Sequence, residues 1–506
     1  MTRAITILEL LASGRDEAVA LAAPGRKPLS HAGLRRHVAG TARRLQELGI
    51  GRVDRVAMVL GNGPEMAAAF LTVTAAAIAA PLNPSYRGEE FEFYLTDLRA
   101  RALLVEAGLE SPAIDVARRR GVLVLELVPR ADLEAGLFDL RGTAGSAAPA
   151  TAAGAADVAL ILHTSGTTSR PKIVPLTHGN LCASARNIVA TLSFSATDRG
   201  LHVMPLFHIH GLVAGLLAPL LAGGSVFCTP GFNALKFFGW MDEARPSWYS
   251  AVPTMHQAIL SRADRNREVI ARSRLRFIRS SSASLPPQVM AKLEETFSAP
   301  VIEAYAMTEA AHQMTSNPLP PRPRKPGSVG VAAGPEVTIL DMQGNILPPG
   351  QSGEVAIRGE NVLAGYENNP QANAAAYTKG WFRTGDQGVM DEDGYLRITG
   401  RLKEIINRGG EKISPREVDE VLLAHPAVAQ ALTFALPHEK LGEEVAAAIV
   451  VREGQKVAEQ ELRDFAAERL TDFKVPRRIV FLEQIPTGPT GKLQRIGLAQ
   501  RLGLAK

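Results

Sequence analysis

Only two cysteines, Cys182 and Cys228, occur in 506 residues. No CxxC pair and no Cys/His ligand spacing accompanies them, which argues against a disulfide scaffold and a zinc site and fits a reducing cytoplasm. Long apolar runs are also scarce. The opening stretch, MTRAITILELLASGRDE, lacks the unbroken apolar core of a secretory leader. Two segments approach the roughly 20 residues of a membrane span. Residues 66–82 are alanine-rich with two threonines, and residues 211–227 contain Pro219 and several glycines. Both are expected to be buried helices, not membrane spans. No Lys/Arg block carries interleaved aromatics, so nucleic acid is not an expected partner. A GxxxxGK[ST] phosphate loop and internal repeats are missing too. The final Leu-Ala-Lys is not the peroxisomal Ser-Lys-Leu address.

What is present belongs to a globular enzyme. Apolar residues make up 46% and charged residues 21%, and 506 residues exceed what one core organises, so two or three domains are expected. A net charge of +5, from 56 basic and 51 acidic residues, suits small anionic ligands. Up to about residue 140, β-type runs alternate with helical ones: a strand at 55–60, a helix at 64–80, a strand at 102–105. That alternation predicts an α/β architecture. Residues 142–156, GTAGSAAPATAAGAA, read as a surface linker. The apolar run 157–163 reads as a buried strand delivering a polar loop. After about 335 the pattern changes to short strands (337–340, 353–358, 394–399), which predicts a small β-rich subdomain. The last hundred residues, 401–506, read as a separate α+β domain following a large domain at 1–400.

Five segments carry chemistry. TSGTTSRPK, at 164–172, is a loop of small hydroxyl residues ending in Arg170 and Lys172. Small residues let backbone N–H groups approach phosphate oxygens while the cations supply charge. Tyr305-Ala-Met-Thr-Glu309 follows an apolar run. Its Thr308–Glu309 pair is placed to meet Mg²⁺ and a phosphate oxygen, or to be a solvated carboxylate. WFRTGD, at 381–386, ends in Asp386, which either accepts from ribose hydroxyls or sits in a turn with Gly385. GRLKEIINRGGEKISPREVDE, at 400–420, reads as a loop entering a helix, with Ser414 as N-cap, Pro415 first in the helix and Glu417 completing a capping box. PTGPTGK, at 486–492, offers one lysine on a Gly/Pro loop.

In this order the five segments resemble the adenylate-forming superfamily of acyl-CoA synthetases, luciferases and adenylation domains, over nearly the whole chain. The resemblance implies ATP and CoA as co-substrates, Mg²⁺ as cofactor, stacked sheets in the large domain and a mobile C-terminal domain. It implies a nucleotide site built from Thr164, Ser165, Gly166, Thr167, Thr168, Ser169, Arg170, Pro171 and Lys172, with Glu303, Ala304, Tyr305, Thr308, Glu309, Asp386, Arg401 and Lys492. Glu309 is the implied metal ligand. Tyr305 lies beside adenine, Asp386 and Arg401 hold the ribose, and Lys403 is the hinge. Lys492, Lys172 and His208 are the candidate catalytic side chains, Lys492 serving adenylation. Gly409 and Gly410 would let a pantetheine arm pass after domain rotation.

Within that superfamily the chain resembles the oxalate–CoA ligases of plants and fungi. HTSGTTSRPK, PLFHIHGL (205–212), RSSSASL (279–285), EAYAMTEAAHQMTSNPLP (303–320), KPGSVG (325–330) and INRGGEKISP (406–415) carry this likeness. Ile173 departs from it, standing where glycine is usual, so the loop's exit must adopt a backbone that a branched residue tolerates. The acid pocket is expected among His208, Ser281, Ser282 and His312, whose donors could meet a second carboxylate. Alternatively His208 is an aromatic-type gate, the serines cap a turn and His312 satisfies the core. Other acids, fatty or aromatic, are the alternative within the same chemistry. An amino-acid adenylation module or a non-catalytic binding protein is the alternative outside it. No carrier domain is attached, and no Asp follows Phe207 to receive an amino group. Monomer and homodimer are both open.

Overall fold

The computed structural model describes residues 4–143, 146–164, 171–486 and 493–505. Two large sheets dominate. One has seven strands, in the order Phe138–Arg141, Leu123–Pro129, Ala102–Glu106, Arg55–Val59, Ile78–Pro81, Val158–Thr164 and Lys172–Thr177. The other has nine, running from Val331–Ala332 through His312–Ser316, Val301–Met307, Phe277–Ser280, Trp248–Ala251, Arg199–His202, Ser225–Cys228 and Val19–Ala22 to Leu29–Ser30. The central strands of both are parallel. Parallel strands covered on both faces read as continuous apolar runs, which explains the β-type segments of the sequence.

Helix Pro64–Ala76 lies between the sheets, touching Ile78–Pro81 and Val158–Thr164 of one and Ser225–Cys228 of the other. Every residue in it except Glu65 is buried. Helix His178–Leu192 likewise meets both sheets. These helices and the inner sheet faces share one hydrophobic core. Other helices, among them Phe237–Ala244 and Pro287–Phe297, cover the outer face of the nine-stranded sheet, and Gly88–Asp97 and Pro112–Arg120 cover that of the seven-stranded one. A five-stranded β subdomain follows, built from Glu336–Leu340, Ser352–Arg358, Tyr377–Thr378, Trp381–Met390 and Leu396–Arg401. The last sheet holds Ile406–Arg408, Glu411–Ile413, Val428–His438, Gly442–Val451 and Arg478–Phe481. Arg495 ties this last unit together: its guanidinium bonds Asp419 (2.8 Å), the Thr433 carbonyl and Glu404 (3.1 Å).

The α/β class and the β-rich subdomain are therefore as expected, with local differences. The helix anticipated at 64–80 stops at Ala76, because Ile78–Pro81 pairs as a parallel strand with Arg55–Val59. Helix Pro415–Leu423 does start after Ser414 with Pro415 first, but no capping box forms. Ser414 Oγ instead donates to the Thr399 carbonyl, and Lys474 takes the Glu417 carboxylate at 2.7 Å. Ile173 lies inside strand Lys172–Thr177 opposite His163, an extended position that suits a branched residue. The run at 211–227 holds a π-helix, His210–Leu217, a short helix, Ala218–Leu221, and strand Ser225–Cys228, all within the core. Among the described residues no helix is long and apolar enough to cross a membrane.

The π-helix packs tightly enough to test. A Cβ on Gly211 would stand 2.2 Å from the Pro205 carbonyl oxygen, a backbone atom that cannot swing away. Gly211→Ala should cost about 1–3 kcal/mol, as overpacking does, and lower the apparent melting temperature by several degrees. A thermal scan showing no change would refute this packing.

Candidate functional site

In a doubly covered parallel sheet the strand ends are where polar chemistry can sit. Strand Phe277–Ser280 ends at Ser281 and Ser282. Strand Val301–Met307 ends at Thr308 and Glu309, and Arg199–His202 leads to the loop carrying His208. Three clusters gather at these ends.

The first surrounds Glu309, whose carboxylate is buried. Tyr366 donates its hydroxyl to Oε1 at 2.9 Å, and Thr164 Oγ1 lies 3.5 Å from the same oxygen. Lys172 Nζ sits 4.3 Å from the centre of the Tyr366 ring. Burial lowers the Lys172 pKa, Glu309 raises it, and the Lys403 ammonium lowers it. Thr164, Lys172, Glu309 and the hinge candidate Lys403 thus share one electrostatic neighbourhood. Ser165, Gly166, Thr167, Thr168, Ser169, Arg170 and Lys492 lie outside the described residues.

The second cluster is Tyr305–Asp386–Arg401. Asp386 and Arg401 face each other across adjacent antiparallel strands. Arg401 Nε donates to Asp386 Oδ1 at 2.9 Å, and the Tyr305 hydroxyl donates to Oδ2. Burial and the Asp386 charge hold the Tyr305 hydroxyl firmly protonated. Neighbouring Glu303 and Ala304 face other groups. The Glu303 carboxylate accepts from the Leu285 amide at 2.9 Å, and burial raises its pKa to about 7. The Ala304 carbonyl accepts from Ser281 Oγ at 3.0 Å. Pro171 borders the strand that carries Lys172.

The third cluster holds the acid-pocket candidates, and His210 joins them. Its backbone N–H lies 3.3 Å from His208 Nδ1, its own Nδ1 lies 3.1 Å from Ser282 Oγ, and its ring stacks on His312 with centroids 4.9 Å apart. Nε2 of His210 meets Ser250 Oγ at 2.7 Å and Arg279 Nη1 at 3.4 Å. Ser282 and His312 have φ of 75° and 107°, a left-handed backbone that non-glycine residues rarely adopt and that concentrates at functional sites. His210, Arg279 and Tyr366 had no role in the sequence reading, although His210 and Arg279 lie inside the segments PLFHIHGL and RSSSASL. An arginine within an apolar strand was the available signal. Gly409 and Gly410 form the two-residue turn between Ile406–Arg408 and Glu411–Ile413, both with positive φ, as such hairpins require.

A buried carboxylate held by Thr164 and Tyr366 beside Lys172, with Asp386 joined to Arg401 and Tyr305, suits a nucleotide whose phosphate is the reacting centre; the molecule is an adenylate-forming enzyme. Residues 8–367 match the AMP-binding enzyme model and residues 417–492 the AMP-binding enzyme C-terminal domain model. The chain belongs to the AMP-binding enzyme family. It is 47% identical to an oxalate–CoA ligase of Arabidopsis thaliana, covering 98% of this chain and 97% of that one. It is 44% identical to an oxalate–CoA ligase of Saccharomyces cerevisiae, covering 89% and 87%. The structure of ATP-bound MatB from Rhodopseudomonas palustris superposes with a TM-score of 0.89 over 98% of both chains, at 28% identity.

The Lys172 environment sets a pH response. Its ammonium is lost as pH rises through a lowered pKa, and Lys403 contributes to that lowering. Lys403→Met should therefore move the alkaline limb of kcat/KM for ATP upward, measured from roughly pH 7 to 10. A limb that stays in place or moves down would show that the two ammonium groups do not interact.

Proposed function

We propose that this enzyme is an oxalate–CoA ligase. An oxalate carboxylate oxygen attacks the α-phosphorus of ATP, a P–O bond forms, and pyrophosphate leaves. The CoA thiol then attacks the oxalyl carbonyl, loses its proton and expels AMP. The observation that carries the acid assignment is the cluster of His208, Ser282 and His312 around His210. These are donors, where a fatty chain would need apolar wall. The 44–47% identity to oxalate–CoA ligases supports it.

The chain's own groups divide the work. The first step brings two anions together, and positioned cations offset that repulsion where charge develops. Lys172 supplies one charge, and Lys492, carried by the C-terminal unit, supplies the other when that unit is closed. Tyr366 and Thr164 orient Glu309. Asp386 and Arg401 hold the ribose beside Tyr305. A single carboxylate at this place suits Mg²⁺, which binds through one or two carboxylates plus substrate phosphates and would neutralise phosphate charge; among the described residues no cluster of three or more His, Cys, Asp or Glu forms an all-protein cage. His208 accepts the His210 amide on Nδ1, so its Nε2 carries the proton and can donate.

The proposal includes two domains, 1–400 and 401–506, hinged at Lys403. The ends of the two family models, 367 and 417, bracket that point. Rotation would exchange Lys492 for the Gly409–Gly410 turn at the site. Two buried free thiols, Cys182 and Cys228, suit a cytoplasmic enzyme.

Half-reactions separate the roles. Lys492→Ala should cripple adenylate formation yet largely spare thioester formation from pre-made acyl-adenylate, whereas Gly410→Trp should do the reverse. Equal loss of both in folded Lys492→Ala would sink the two-state assignment.

The acid is tested by pyrophosphate release across an acid panel, with and without CoA. Oxalate should exceed hexanoate and coumarate, and AMP, not ADP, should appear. A donor to a charged group is worth roughly 1.5–3 kcal/mol, so Ser282→Ala and His312→Ala should each lower kcat/KM for oxalate about 10- to 150-fold. Better turnover of hexanoate or coumarate would refute oxalate.

A further inference from the structure

Arg279 lies at the C-terminal half of strand Phe277–Ser280 and is 0% exposed. A buried guanidinium ordinarily has a carboxylate partner, because an isolated charge is costly to remove from water. Among the described residues no carboxylate pairs with this one. Nη2 donates to the neutral amide oxygen of Gln313 at 3.3 Å, Nη1 approaches His210 Nε2 at 3.4 Å, and Nε finds no hydrogen-bond partner. Gln313 is itself held by Thr191 Oγ1 at 3.1 Å and the Ala333 carbonyl at 3.2 Å. The fold therefore keeps a positive charge behind the acid pocket and surrounds it with neutral groups. Burial brings its pKa down to about 9, so it stays charged at neutral pH.

The direction of the hydrogen bonds follows. A guanidinium can only donate. His210 Nε2 must then accept, from Arg279 and from Ser250 Oγ, and the single ring proton sits on Nδ1. Nδ1–H donates to Ser282 Oγ at 3.1 Å. With a lone pair engaged, Ser282 turns its own O–H outward as a donor. His210 stays neutral between Arg279 and the histidines around it, its pKa pulled far down by burial first and then by His312 and Arg279.

We infer that Arg279 is a positioning residue that makes this pocket select a dianionic acid: its charge attracts the second carboxylate through His210, and its donation orients Ser282 as that carboxylate's donor. The inference rests on the oxalate reading and deepens it. The missing carboxylate partner of Arg279 is supplied by the substrate, one ring's width away. A monoanionic acid would leave the guanidinium uncompensated.

Oxamate tests this directly. It has the shape of oxalate with an amide in place of one carboxylate, so it differs by one charge. The wild-type enzyme should favour oxalate over oxamate by roughly ten- to a hundredfold in kcat/KM, the scale of a charge-assisted contact. Arg279→Met keeps length and removes charge. It should erase most of that preference, chiefly by raising KM for oxalate, with kcat and KM for ATP within a few-fold of wild type. Arg279→Lys should restore part of the preference. A merely structural arginine would instead lower kcat for oxalate and oxamate alike and would not be rescued by lysine. If wild type handles oxamate as well as oxalate, the inference fails without any variant having to fold. If wild type prefers oxalate but Arg279→Met keeps the same ratio, this inference alone falls. If wild type prefers hexanoate or coumarate to oxalate, the oxalate reading falls and takes this inference with it.

Discussion

A parallel sheet covered on both faces can meet water only at its ends, and two such sheets share one core here. Helix Pro64–Ala76 sits where both sheets need cover, and it is buried on every side except at Glu65. A charged side chain along that seam would be costly, and beyond Glu65 the helix carries only the hydroxyls of Thr72 and Thr74. Polar side chains therefore collect where strands run out: Thr164 and Lys172 at the rim of one sheet, Ser282, Glu309 and the loop of His208 at the rim of the other.

Where charge does enter the interior, it is answered unevenly. Asp386 has Arg401 and Tyr305. Asp198 has Arg276 at 2.6 Å and the Ser247 hydroxyl at 2.8 Å. Glu303 has a single backbone amide, and burial pushes its carboxyl pKa up to about 7. Arg279 has neutral neighbours only. Groups with matched partners hold the fold together. The unmatched ones lie on two neighbouring parallel strands, Phe277–Ser280 and Val301–Met307.

Much of the architecture was legible because it depends on periodicity. Continuous apolar runs such as 102–105 can only be buried parallel strands or helix, and turn spacing after residue 335 implied short strands in a small β-rich subdomain. The end of the helix at Ala76 was not legible, since an alanine-rich run is compatible with helix until tertiary pairing claims Ile78–Pro81. The missing capping box at Ser414 has the same origin: Thr399 and Lys474, distant in sequence, compete for its partners. In the site, motif order placed Thr164, Lys172, Tyr305, Glu309, Asp386 and Arg401, and the fold brings them into two adjoining clusters. His210 escaped notice because His208, two residues earlier, has the same chemistry. Only the three-dimensional arrangement shows that His210 is the residue touching Ser282, His208 and His312 together.

Arg495 bears on how this sequence can drift. It satisfies Asp419, Glu404 and the Thr433 carbonyl at once, and Asp419 is buried deeply enough that its carboxyl is pushed up despite that cation. A substitution at Arg495 alone would leave a lone buried carboxylate, at a cost of about 3–5 kcal/mol, a large share of what keeps a domain folded. Loss of Asp419 alone would leave Arg495 with one acid instead of two. A step that begins at Arg495 is thus closed, whereas one that begins at Asp419 leaves the guanidinium with Glu404. The two positions are epistatic in order: a lineage can lose the buried carboxylate first and the cation second, not the reverse.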